Sequence, residues 1–369
     1  MMEDAQYMSI AIEEAKKGLG RTSPNPAVGA VIVKSGRIIS KGYHKKAGTA
    51  HAEIHAINNA IENLKGSTIY VTLEPCSHTG KTPPCCEAIA RAGISRVVVG
   101  MTDPNPLVNG RGISFLMEEG VEVLSGILEK ECEDINLPFI KYIKTSLPFM
   151  VMKAGVSLDG RLNYQDGLPG RITGAESGEK VHHLRNRFDA IMVGSSTIIA
   201  DNPSLTARLN NSVKRDPVRI ILDTNLRTSL LAKVYTQDSE AKTIVICCKG
   251  ADQMKVASFR DQGINVVAVD KCESGVNLDH ALLEIADLGI SSVLVEGGAK
   301  VHGSLLLNKM YDFAYLFYAP VFAGDFGKSL VTGMEVGGRD LAPRISAPQY
   351  EKCGEDMLVS GKIVYPVNG

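Results

Sequence analysis

Tryptophan is absent from the 369 residues, and phenylalanine, tryptophan and tyrosine together reach only 5%. Surface for stacking on a run of bases is therefore scarce. An excess of either charge is also missing: 40 Lys and Arg face 41 Asp and Glu, for a net charge of −1. Proteins that hold long nucleic acids carry a basic excess or a basic stripe, so a small substrate is expected and a nucleic-acid partner is not. No apolar run approaches the length of a membrane span, so no membrane partner is expected. The opening MMEDAQYMSIAIEEAKKG has early acids and no unbroken apolar core, unlike a signal peptide. It reads as an amphipathic helix with Met8, Ile12, Ala15 and Leu19 at helical spacing. The phosphate-binding pattern Gly-x-Gly-x-x-Gly does not occur, which counts against an ordinary Rossmann dinucleotide site. Neither internal repeats nor low-complexity segments are found.

What is present is an α/β pattern in two stretches. The first runs ββαβαβαβ: strands at 27–33, 37–43, 68–73, 96–101 and 121–124, with helices at 51–64, 84–92 and 110–119. Ser35-Gly36 between the first two strands signals a hairpin. A weak boundary at 144–148 divides the chain into domains 1–145 and 146–369. The second stretch restarts with a strand at 149–153. Further strands are expected at 189–194, 218–222, 243–248, 265–269, 292–296, 313–321 and 357–365, and helices at 175–187, 252–262, 279–288 and 299–308.

Eight cysteines are spread over a long chain without a secretory signal, which points to a reducing cytoplasm and to metal-ligand or core roles. Cys247 and Cys248 sit in the apolar run TIVICC and read as core. Cys76 and Cys85 differ. His51-Ala52-Glu53 opens a helix, Glu74-Pro75-Cys76 ends a strand, and Cys85 starts the next helix. One imidazole and two thiolates suit a single zinc ion per chain, and three protein ligands leave the fourth tetrahedral position for water. Zinc would bring that water toward ionisation at neutral pH. Glu53, two residues from a ligand, is placed to take its proton and hand it to a departing amine. A closed structural site with His55, His78 or Cys86 as fourth ligand is the alternative, but it leaves Glu53 without a role. The pattern approaches the His-x-Glu…Pro-Cys-x-x-Cys signature of nucleobase deaminases. Here eight residues separate the cysteines, which puts His78, Gly80 and Lys81 at the rim of the metal pocket.

In the second stretch the strongest local feature is Val-Leu-Val-Glu-Gly-Gly-Ala-Lys at 293–300, a strand, a glycine pair and a helix. Such a turn can admit phosphate at the helix start. It can equally be no more than a tight strand-to-helix turn.

The segments NPAVGAVIV, HAEIHA, VTLEPCSHTGKTPPC and DPNPLVNGRGI, followed by MKAGVSLDGR, RFDAIMVGSSTIIADNPSLTAR, VRIILDT and VEGGAKVHGS, resemble the bifunctional riboflavin-biosynthesis deaminase–reductases of bacteria over essentially the whole chain. The resemblance implies a cytidine-deaminase-like N-terminal domain and a dihydrofolate-reductase-like C-terminal domain that uses NADPH. It implies that Asn25, His44, His78, Lys81, Asp103 and Asn105 bind a pyrimidine ribonucleotide in the first domain. In the second, Arg185, Leu205, Arg208 and Glu296 would contact substrate, the two arginines suiting a ribose phosphate, with Lys153 near the reacting carbon. Val156, Arg171, Thr197, Asp201, Thr224, Gly298, Ala299, Lys300, Val301, His302, Gly303 and Ser304 would contact the cofactor. The family usually has Ser-x-Trp-Ile-Thr where this chain has Pro169-Gly170-Arg171-Ile172-Thr173; Arg171 is then expected to meet the cofactor's phosphate. A homo-oligomer is expected. The competing reading is a tRNA or nucleotide deaminase whose second domain binds a nucleotide without catalysis.

Overall fold

Short runs of Val and Ile separated by polar and Gly-rich turns each become one strand. The structure, a computed structural model, describes residues 3–77, 83–106, 108–168, 170–209, 214–273 and 275–366. The chain divides into two units, Met1–Ser146 and Leu147–Gly369.

In the first unit the elements are α1 (Asp4–Lys16), β1 (Gly29–Lys34), β2 (Arg37–Tyr43), α2 (Ala52–Asn58), β3 (Thr68–Leu73), α3 (Cys85–Arg91), β4 (Arg96–Met101), α4 (Arg111–Glu118), β5 (Glu122–Ser125), α5 (Glu129–Ile135) and α6 (Leu137–Thr145). The sheet order is β2-β1-β3-β4-β5. β1 pairs antiparallel with β2 and β3, whereas β3, β4 and β5 run parallel. Ser35 (φ 49°) and Gly36 (φ 75°) are both left-handed, the twist a two-residue hairpin needs. Helix α1 buries Tyr7, Met8, Ala11, Ile12 and Ala15 at helical spacing. Because β3 and β4 are parallel, the segments that follow them, with Cys76 after β3 and Asp103 after β4, leave the sheet at one edge.

Three differences from the sequence expectation stand out here. The helix expected over 51–64 ends at Asn58. Asn59 adopts φ −89°, ψ 0°, Ile61 is left 82% exposed, and Leu64 turns back into the core. Periodicity over Ala60–Leu64 could not register that the chain must leave the helix to enter β3. Residues 129–145, given no element above, form α5 and α6, with Pro138 in the first turn of α6, where its missing N–H costs nothing. The side chain of Asn136 between them pairs with both the N–H and the C=O of Ala27, at 2.8 and 3.0 Å. The N-terminal helix ends at Lys16, so Leu19, expected on its apolar face, lies beyond it, and the helix packs against β1 and β3.

The second unit contains β6 (Phe149–Val156), α7 (Ala175–Arg187), β7 (Ala190–Gly194), α8 (Ser195–Asp201), β8 (Val218–Leu222), α9 (Lys233–Thr236), β9 (Thr243–Cys248), α10 (Gln253–Asp261), β10 (Asn265–Val269), a small pair β11 (Lys271–Cys272) and β12 (Gly275–Val276), α11 (Leu278–Asp287), β13 (Ser292–Gly297), α12 (Ala299–Leu307), β14 (Phe313–Tyr318), β15 (Arg344–Cys353) and β16 (Asp356–Val364). Its main sheet runs β10-β9-β8-β7-β13-β6-β14-β16-β15. The pairings are parallel from β10 to β14 and antiparallel for the last two strands. The central strands are buried on both faces and read as mostly apolar runs, as parallel strands do, with Arg219 in β8 and Glu296 in β13 as charged exceptions. Strand β15 was not expected, because its residues are mostly exposed up to Cys353 and lack the alternation of a half-buried strand. The segment expected at 313–321 ends as a strand at Tyr318.

Candidate active sites

His51 is the N-cap residue of α2, so Glu53 lies in the first turn of that helix. Cys76 follows β3 and Cys85 is the first residue of α3. One ligand atom from each of His51, Cys76 and Cys85 lies within 4.8 Å of the others. His51 Nδ1 is 3.3 Å from Cys85 Sγ and 3.6 Å from Cys76 Sγ. Tetrahedral zinc with ordinary Zn–S and Zn–N bonds sets its ligand atoms about 3.5–3.8 Å apart, so the donor set and its spacing fit that ion. The Cys85 backbone N–H also donates to Cys76 Sγ at 3.4 Å. The Cys85 thiol, His51 and that N–H push Cys76 down to about 4, while its partner Cys85 is raised. A site that favours thiolate at Cys76 is what a soft metal needs. Glu53 is 3% exposed; burial, reinforced by the Cys76 sulfur, pushes its carboxyl up to about 7.

Cys86 packs in the core at 1% exposure. Neither it nor His55 joins the ligand cluster found among the described residues. His78 and Lys81 lie outside the described residues.

A cavity of about 460 Å³ opens beside this cluster, lined by Asn25, His44, His51, Glu53, Cys76, Asp103 and Asn105 together with Thr49, Glu74, Val108, Phe139 and Ile143. His44 is buried, and burial lowers its pKa, so the ring is neutral. Its Nδ1 is 3.1 Å from the Ala50 carbonyl, which can only accept; Nδ1 therefore carries the proton and Nε2 accepts from the Asn25 amide at 3.4 Å. Sequence reasoning did not single out Glu74, Phe139 or Ile143. Phe139 and Ile143 come from α6 at i, i+4 spacing, a visible signal once that helix is known. Glu74 stood in the quoted motif without a role.

The second unit has a cavity of about 480 Å³ where β6, β7 and β13 end. Among the expected residues Lys153, Arg171, Arg185, Thr197, Asp201, Leu205, Glu296, Gly298, Ala299, Lys300, Val301 and His302 line it. Val156, Arg208, Thr224, Gly303 and Ser304 are not among its lining residues, and Pro169 lies outside the described residues. Gly298 has φ 80°, and a Cβ on Gly297 would collide with the backbone of Val193, so this glycine pair is demanded by the turn and by its approach to β7. Leu205 is buried at φ 53°, a conformation costing an L-residue about 1–2 kcal/mol.

Glu296 receives Arg185 through two bonds, Nε to Oε1 at 2.6 Å and an Nη to Oε2 at 2.8 Å. Lys153 Nζ lies 3.3 Å from Oε2. Burial alone would raise Glu296; Arg185 and Lys153 outweigh it and hold the carboxyl at about 2. Burial lowers Lys153. Arg185, expected beside a ribose phosphate, is bonded to Glu296 and to the Thr206 carbonyl at 3.1 Å, and Arg208 is exposed and not among the lining residues. Arg171 donates to the carbonyls of Thr173 and Gly174 at the cavity wall. His302 Nδ1 is 2.7 Å from the Tyr311 hydroxyl, both fully buried.

Residues 148–359 match the RibD C-terminal domain family. Residues 1–101, which contain the whole ligand cluster, match the cytidine and deoxycytidylate deaminase zinc-binding region. The riboflavin biosynthesis protein RibD of Bacillus amyloliquefaciens is 42% identical over 355 residues, 96% of this chain and 95% of its own length. Acinetobacter baumannii RibD, a solved structure, superposes with a TM-score of 0.87 at 33% identity, covering 98% of this chain and 99% of that one. The Thermotoga maritima diaminohydroxyphosphoribosylaminopyrimidine deaminase/5-amino-6-(5-phosphoribosylamino)uracil reductase superposes with a TM-score of 0.86 at 36% identity, covering 98% of each chain. Similarity that spans both units does not favour a lone tRNA or nucleotide deaminase with an inert second domain. With a zinc-ligand cluster in one unit and a buried Lys–Glu–Arg cavity in the other, the chain belongs to the RibD family, the bifunctional deaminase–reductases of riboflavin biosynthesis.

Proposed function

We propose that residues 1–145 hydrolyse the C2 amino group of 2,5-diamino-6-ribosylamino-4(3H)-pyrimidinone 5′-phosphate, and that residues 146–369 reduce the ribosyl group of the product to ribityl with NADPH. The observation that carries the first half is the cluster of His51, Cys76 and Cys85 with buried Glu53 beside it on one cavity wall. His51, Cys76 and Cys85 hold the ion, and bound zinc supplies a lowered pKa for attacking water. Buried beside the ligands on the cavity wall, the Glu53 carboxyl can accept a proton and release it again within one turnover. His44 and Asn25 orient the ring, as a neutral hydrogen-bonded pair that neither adds nor removes charge. Asp103 and Asn105 contact the substrate from the cavity wall, and by the family resemblance His78 and Lys81 are further substrate contacts.

In the second unit the strand-end cavity and the Gly297-Gly298 turn support a nicotinamide cofactor, with Thr197, Asp201 and the 298–304 stretch on its phosphates and ribose. Val156, Arg171 and Thr224 are its further contacts. Lys153 and Glu296 form a buried ion pair at the reacting end. Leu205 and Arg208 complete the substrate side, and Arg185 acts by holding Glu296 in place. A reducing compartment such as the cytoplasm fits eight cysteines that form no disulfide, and no helix among the described residues is long and apolar enough to cross a membrane. The assembly proposed is a homo-oligomer.

The test is Glu53→Gln. Gln keeps the shape of Glu and cannot carry the proton. Zinc content should stay at wild type, ammonia release should fall on the order of a hundredfold or more, and NADPH oxidation with the deaminated intermediate should persist. Ammonia release near wild type would remove Glu53 from the reaction.

A further inference from the structure

Glu74 stands two residues before the ligand Cys76 and is 3% exposed. Among the described residues its carboxylate bonds neither a cation nor a hydroxyl; it collects backbone N–H groups. Oε2 accepts from Asp103 at 3.1 Å and from Gly110 at 3.0 Å. Oε1 accepts from Gly112 at 2.9 Å and from Ile113 at 3.4 Å. Four donors fill the acceptor capacity of one carboxylate.

All four donors belong to one stretch of chain, from just beyond β4 into the first turn of α4. The N–H groups that open a helix have no partner inside it, and Gly110, the N-cap of α4, has no side chain to supply one. Glu74 supplies that cap from just beyond the end of β3. The fit is close: a Cβ on Gly112 would collide with the Pro75 carbonyl oxygen and come within 3.3 Å of Glu74 Oε1. At the other end of the stretch, Asp103 Oδ1 accepts from the Asn105 backbone N–H at 2.9 Å, so fixing the Asp103 backbone also fixes Asn105.

We infer that Glu74 is a positioning residue for deamination, locking the segment that carries Asp103 and Asn105 to the same backbone that carries the metal ligand Cys76. One rigid span then sets the distance between the substrate contacts and the reacting centre. A misplacement of about 1 Å is enough to lose much of a catalytic rate. The inference rests on the proposed reading of Asp103 and Asn105 as substrate contacts.

The experiment uses the full-length zinc enzyme with the pyrimidine phosphate as probe. Glu74→Gln leaves one acceptor oxygen and turns an NH₂ against two backbone donors. Zinc per chain is expected to stay unchanged, while KM for the pyrimidine phosphate rises about tenfold or more. In an Asp103→Ala background the same change should add about twofold at most, because the contact it serves is already gone. Loss of zinc in Glu74→Gln, an unchanged KM, or effects that multiply in the double variant would each overturn the inference. Amide exchange in the unaltered enzyme gives a second reading that does not depend on a variant folding. The N–H groups of Asp103, Gly110, Gly112 and Ile113 should exchange as slowly as those of β3, and exchange at the rate of an exposed loop would overturn it. Should Asp103→Ala and Asn105→Ala both leave KM unchanged, the substrate reading itself fails. A raised KM in those two with an unchanged KM in Glu74→Gln defeats the role of Glu74 alone.

Discussion

The two cavities are nearly equal in volume, about 460 and 480 Å³, yet they are assembled in opposite ways. In the first unit the ligands His51 and Cys85 are 34 positions apart, and each sits at a helix start or strand end where short motifs place it. In the second, Lys153 and Glu296 are 143 positions apart and meet only because β13 pairs with β6 in the sheet. The first site is held by donors that a metal would join. The second is held by charges that compensate one another within a buried layer. A hydrolytic metal site is therefore spelled in residue types, whereas a hydride-transfer site is spelled in strand order.

That contrast predicts unequal responses to damage. The largest effect should come from Cys76→Ser, or from stripping metal with a chelator. Zinc should fall well below one per chain and ammonia release should vanish, with NADPH oxidation kept; unchanged zinc in the mutant would show that the ligands lie elsewhere. Removing a charge in the second unit should instead act on folding. Glu296→Gln leaves Arg185 and Lys153 facing each other without their carboxylate, a loss of about 3–5 kcal/mol. Thermal unfolding should show it, together with loss of reduction, while ammonia release continues. A melting temperature equal to wild type would mean the triad is not structural.

A smaller effect concerns pH. Burial holds His302 at about 4, against 6.5 for the free ring. Between those values the unfolded chain binds a proton that the folded chain does not, so stability falls as pH drops from about 6.5 toward 4. The full difference is about 3 kcal/mol. Unfolding measured across that range should lose this component of its slope in His302→Gln. An identical slope would assign the acid sensitivity to other groups. The smallest effect should be that of Arg171→Ala. Its guanidinium is already engaged by two carbonyls, so NADPH affinity should weaken relative to NADH by about tenfold at most. Equal loss for both cofactors would put Arg171 on structure rather than on the cofactor's extra phosphate.

Elements were legible where burial imposed a period. The largely apolar strands β1, β4, β8 and β9 and the helix α7 fell where the pattern put them. Helices α5 and α6 were not legible because Pro138 and a charge-rich approach look like a linker, and β15 was not because its exposed residues carry no alternation. In the first cavity, His44 and Asn25 could be named by resemblance, but their shared proton arrangement depends on the Ala50 carbonyl, which only the folded chain brings near.

By itself, then, the sequence determined the metal chemistry. Thiolate, imidazole and carboxylate are the only side chains that can do that work, and their spacing leaves few other partners. It also determined the strands and helices whose buried faces impose a period, such as β4, β8, β9 and α7. The tertiary structure alone decided that Arg185 pairs with Glu296, that α6 walls the first cavity, and that Glu74, just beyond β3, caps α4. Each of those outcomes depends on groups far apart in the chain competing for one partner, and that competition is settled by distance in space, which no local pattern records.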